Sequence, residues 1–78
     1  MTDSEIIQAV EKTGDLRGMT VNERLFNTGL MDEFDFAKKY NKPKARRILQ
    51  LIGVDEPSID KILQPFIVQV FKTVFRKR

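Results

Sequence analysis

Apolar residues recur along this chain at intervals of three and four, in groups separated by short polar or glycine-containing stretches. That is the period of an amphipathic α-helix, not the strict alternation of a strand. The first group is Ile6, Ile7 and Val10. The second, Phe26, Leu30, Phe34 and Ala37, is spaced by four, four and three residues. The third, Ala45, Ile48, Leu49 and Ile52, forms an i, i+3, i+4, i+7 stripe suited to facing a core. Ile59, Ile62 and Leu63 follow. Last come the pairs Phe66/Ile67, Val70/Phe71 and Val74/Phe75, one pair every four residues. The residue types of this final group favour a strand. Its adjacent apolar pairs do not fit alternation, so the period predicts a helix.

The polar residues between these groups supply the punctuation. Thr2-Asp3-Ser4-Glu5 and Thr20-Val21-Asn22-Glu23 are both Thr-x-x-Glu capping boxes. In each, the threonine oxygen accepts from the third amide of the helix while the glutamate reaches back to the cap's own amide. The first opens a helix to about Thr13, stopped by Gly14, and residues 15–19 read as a connector. The second opens a helix predicted to run from Val21 to Tyr40. Gly29 lies inside it, and a break there is the alternative. Asn41-Lys42-Pro43 forms the next turn, with proline suited to the first turn of the helix that follows. Gly53 ends that helix. Asp55 caps the next one, which has Pro57 in its first turn. Pro65 disfavours helical geometry at Gln64 and begins a new element.

About five helices joined by short turns predict an all-α fold, a compact bundle forming one small domain over the 78 residues. Within it, residues 1–19 are an N-terminal helix and connector, 20–63 a helical core, and 64–78 an apolar and basic terminal helix.

The stretch Asn22-Glu23-Arg24-Leu25-Phe26 followed by Gly29-Leu30-Met31-Asp32-Glu33-Phe34-Asp35 resembles a family of short, uncharacterised bacterial proteins that share an NERL…GLMDEFD helix. The resemblance continues through Arg47-Ile48-Leu49, Val54-Asp55-Glu56 and the helix from Ile59 to Leu63, and so covers about Thr20 to Leu63. It implies a bacterial origin and a helical fold, and carries no activity with it. Physically, the motif places Phe26, Leu30 and Phe34 in the core. Glu23, Asp32, Glu33 and Asp35 are left as an acidic outer face suited to a basic protein partner.

Composition narrows the chemistry. The chain has no cysteine and no histidine, which removes thiolate chemistry and the commonest general base and metal ligand. Asp32, Glu33 and Asp35 are the densest acidic cluster, but no further acid completes a metal or acid–base site at a suitable spacing. The two serines, Ser4 and Ser58, fall at helix starts, and the glycines form no phosphate-cradling pattern. The chain is therefore expected not to be an enzyme and to use no cofactor, metal or small-molecule substrate. The start, Met-Thr-Asp-Ser-Glu, has neither the basic nor the apolar region of a secretion signal, so a cytoplasmic location is expected.

Charge is divided along the chain. Residues 1–35 carry eight acids and three bases, a net of −5, and residues 36–78 carry three acids and eleven bases, a net of +8. Either the halves attract each other within the fold, or the basic half is a binding face. Lys38, Lys39, Lys42, Lys44, Arg46 and Arg47 concentrate the positive charge with no acid among them, and mark the candidate nucleic-acid contact, together with Arg76 to Arg78. Cations at a helix start oppose its dipole, a local misfit. Asp32, Glu33 and Asp35 are the candidate protein-binding residues. The leading expectation is a helical protein–protein interaction module, a regulator or adaptor, with a protein partner or a second copy of itself. Nucleic-acid binding is the alternative. The terminal apolar helix is expected first as core, second as a dimer or partner surface, and last as a membrane contact.

Overall fold

The computed structural model describes residues 1–64. They form five α-helices: α1 (Asp3–Thr13), α2 (Val21–Thr28), α3 (Met31–Tyr40), α4 (Lys42–Leu51) and α5 (Glu56–Leu63). No strand occurs among the described residues. The expectations for the apolar pairs from Phe66 to Phe75 and for Arg76 to Arg78 lie outside them.

Both capping boxes form. Thr2 Oγ1 accepts from the Glu5 amide at 3.2 Å and Glu5 Oε1 accepts from the Thr2 amide at 2.7 Å. The corresponding distances at Thr20 and Glu23 are 3.1 and 2.8 Å. Asn41 caps α4 by accepting from the Lys44 amide, and Asp55 caps α5 by accepting from the Ser58 amide. Each cap satisfies amides that have no partner within their own helix.

The single helix expected over 21–40 is in fact two. Gly29 adopts left-handed backbone angles, φ 74° and ψ 18°. Its amide donates to the Phe26 carbonyl at 3.1 Å, and the Leu30 amide donates to the Leu25 carbonyl at 2.9 Å. These are the two bonds of a Schellman closure, and the buried Leu25 and Leu30 supply its apolar contact. The Leu30 carbonyl then accepts from the Phe34 amide at 2.8 Å and starts α3. Breaking the helix resets its phase, so residues 26, 30 and 34 no longer share a face. Leu30 and Phe34 are buried as expected, whereas Phe26 is 74% exposed. Leu25 and Thr28 take the inward positions on α2.

At Gly29 an added Cβ would meet nothing within 4 Å, so the cost of a side chain there is conformational. Gly29→Ala is expected to lower stability by about 1 kcal/mol. The urea midpoint should fall with the slope unchanged.

The core joins all five helices and the connector. Ile6 from α1, Leu16, Leu25, Leu30, Phe34, Ala37, the α4 residues Ala45, Ile48 and Leu49, Ile52, Ile59 and Leu63 form one buried cluster. Ile7, grouped with Ile6 and Val10 by its spacing, lies at the surface instead. Helix α4 is the hub, packing against α1, α3 and α5. Its amphipathic stripe puts Ala45, Ile48 and Leu49 inward. Among the described residues no buried side-chain nitrogen or oxygen lacks a hydrogen-bond partner. No described helix is long and apolar enough to cross a membrane.

Candidate functional site on the outer face of α3

Helix α3 buries Phe34 and Ala37 and half-buries Met31 and Glu33. The opposite face must therefore carry Asp32, Asp35, Phe36, Lys39 and Tyr40, all of which are exposed. Phe36 is 62% exposed and Tyr40 68%. One turn apart, their rings lie 4.8 Å centroid to centroid at 47°. The Lys39 ammonium sits 6.0 Å from the Tyr40 ring centroid, at the outer limit of a cation–π contact. The face thus has carboxylates at its N-terminal end, an aromatic ridge along it and a cation at its C-terminal end. Asp32 in the first turn and Lys39 in the last turn each stand where the dipole favours them.

The three acids proposed from the sequence do not stay together. Glu33 turns inward, 2.8 Å from Lys44 Nζ and 3.4 Å from the terminal amine. The hydrogen bond from Lys44 holds its carboxyl below the ordinary value of 4.5. Asp32 and Asp35 face outward and make no ion pair with a described residue.

The basic segment divides in the same way. Lys44 is taken by Glu33, which also relieves the charge misfit at the start of α4. Arg46 bridges α4 to α5, reaching Glu56 at 2.7 Å and Asp60 at 2.6 Å. Arg47 lies 3.5 Å from Asp3 of α1. Lys38, Lys39 and Lys42 are exposed and have no such partner among the described residues. The Glu33–Lys44 and Asp3–Arg47 pairs join the acidic and basic halves of the chain.

Two features were not foreseen from the sequence. One is the Phe36–Tyr40 ridge, visible only once the face of α3 is fixed. The other is Arg24, which fastens α2 to the end of α4. Its Nη1 donates to the carbonyls of Ile52 and Gly53 at 3.0 and 3.2 Å, and its Nε to Met19 at 3.1 Å.

Four carboxyls are held below their ordinary values by hydrogen bonds: Glu5 by Thr2, Asp15 by Arg17, Glu33 by Lys44 and Asp55 by Ser58. A depressed carboxyl stabilises the fold above its unfolded value, and that stability is lost as pH falls through the folded value. Those unfolded values are 4.5 for glutamate and 3.8 for aspartate. Denaturant titrations between neutral and acidic pH should show stability falling below about pH 5, and Glu33→Gln should remove part of that slope.

Among the described residues no group of three or more acids stands where it could hold a metal ion. Comparison of the chain with family models, with curated proteins and with solved structures finds no match.

Proposed function

We propose that this chain is a small helical protein-interaction module that docks through the outer face of α3. The observation that carries the reading is the exposed Phe36–Tyr40 pair. Two large adjacent aromatics leave much apolar surface in water, and aromatic residues are what the cores of protein interfaces are enriched in. Nucleic-acid binding would use the same rings as a stacking platform beside Lys38, Lys39 and Lys42. Asp32 and Asp35 on the same face oppose phosphate, and Lys44, Arg46 and Arg47 are already engaged by carboxylates. That balance favours protein over nucleic acid.

The test uses the full chain and its Phe36→Ala/Tyr40→Ala variant. Both are used as bait in extract of the bacterial source that the sequence resemblance implies, with and without nuclease. Any protein recovered is then purified and titrated against each. Unfolding free energy should differ by no more than about 0.5 kcal/mol, because both rings are exposed. A reconstituted partner should bind the variant at least tenfold more weakly, the loss of about 1.4 kcal/mol that one interface anchor supplies. Capture abolished by nuclease, or a variant that binds as well as the parent, would overturn the proposal.

A further inference from the structure

The face of α3 is complementary to itself. Asp32 and Asp35 lie toward its N-terminal end, Lys39 toward its C-terminal end, and Lys42 just beyond the Asn41 turn. All four are exposed and make no ion pair within the described chain. Laying a second α3 on the first in the parallel sense would set like charges against like. An antiparallel arrangement about a two-fold axis at the level of Ala37 does the reverse. Residue 35 of each copy then lies level with residue 39 of the other. Asp35 meets Lys39, twice over by symmetry. In the same register Phe36 falls midway between the partner copy's Phe36 and Tyr40, offset by about 3 Å along the axis from each, as a rise of about 1.5 Å per residue dictates. The ridge of one copy enters the gap in the ridge of the other, which is how helices pack.

We infer that the partner seated on this face is a second copy of the chain, in an isologous antiparallel α3–α3 dimer. The inference rests on the reading of α3 as a protein-docking face and names its occupant. Two-fold symmetry requires a surface patch to complement itself, and this charge order meets that requirement. One short helix face falls below the roughly 800 Å² per partner of a standard interface, so the association is weak. Its dissociation constant should be on the order of 0.1 mM.

Sedimentation of the full chain over a concentration series tests this with two charge reversals, Asp35→Lys and Lys39→Glu. Both positions are exposed, and a thermal melt of each variant confirms that it folds. The parent should show reversible self-association. Each reversed variant alone should associate at least tenfold more weakly, since two attractions become two repulsions. An equimolar mixture of the two should recover association. In the mixed pair the introduced lysine of D35K meets the introduced glutamate of K39E, while the native Asp35 and Lys39 also meet. Phe36→Ala should lose association irrespective of charge. A parent that stays monomeric, reversals without effect, or a mixture that does not recover would each overturn the dimer. If the parent is monomeric while a different purified protein still needs Phe36 for binding, the second copy is excluded and the docking face stands. If no protein binds through Phe36 at all, both fail.

Discussion

Replacing Ile48 by alanine is expected to lower the unfolding free energy by about 2–5 kcal/mol. Ile48 is fully buried on α4, the helix that touches α1, α3 and α5. The lost methylenes leave a gap walled by several elements, and such a site collapses poorly. At about 0.05–0.15 kcal/mol per residue, a chain of this length has roughly 4–12 kcal/mol to lose. The melting temperature should therefore fall by about 10 °C or more, read by circular dichroism. Phe26→Ala supplies the contrast. Phe26 is 74% exposed, so its removal should change stability by no more than about 0.5 kcal/mol. Were α2 and α3 one continuous helix, residue 26 would share the buried face and the two substitutions would cost alike.

The second large effect is expected at Arg24. Arg24→Met keeps the aliphatic stem and removes three hydrogen bonds to the carbonyls of Met19, Ile52 and Gly53. Ile52 caps the C-terminal end of α4 and Gly53 follows it, and a cation there also complements the helix dipole. Hydrogen bonds from a charged group contribute about 1.5–3 kcal/mol in favourable cases. Because water can solvate the freed carbonyls, a net loss of about 1–3 kcal/mol is expected by denaturant titration. At Gly53 the positive φ, +88°, favours glycine. A side chain would also make the Arg24 guanidinium shift by a few tenths of an ångström, since a Cβ there would stand 3.2 Å from Arg24 Nη1.

Much of the fold was legible because its signals are local. A capping box is decided by residues three apart, and both formed where Thr2 and Thr20 place them. The α4 stripe was equally readable, since Ala45, Ile48 and Leu49 depend only on helical period. Gly29 was harder. Spacing from Phe26 to Ala37 is continuous through it, and one glycine in a helix costs only about 1 kcal/mol. What decides for a break is the buried pair Leu25 and Leu30 in the Schellman closure, a tertiary preference for two short helices over one long one.

The site was less legible than the fold. That Glu33 turns away from Asp32 and Asp35 follows from the helical period, about 100° per residue, but its partner does not. Only Glu33 meets Lys44, which the next helix brings back across it. The partners of Arg46 and Arg47 lie on α5 and α1, at separations no local pattern encodes. Phe36 and Tyr40 have the spacing of a helical face, yet they read as ordinary apolar positions until Phe34 and Ala37 are known to point inward.

The central proposal is that, among the described residues, the outer face of α3 is the surface that meets protein. Its most direct test is a photo-crosslinking scan of the full chain in cells, with the reactive side chain placed in turn at Phe26, Phe36, Tyr40 and Lys61. All four positions are exposed, on α2, α3, α3 and α5. Discrete protein adducts at Phe36 and Tyr40, with none at Phe26 or Lys61, are the predicted result. Adducts centred on Phe26, or none at either α3 position, would contradict it.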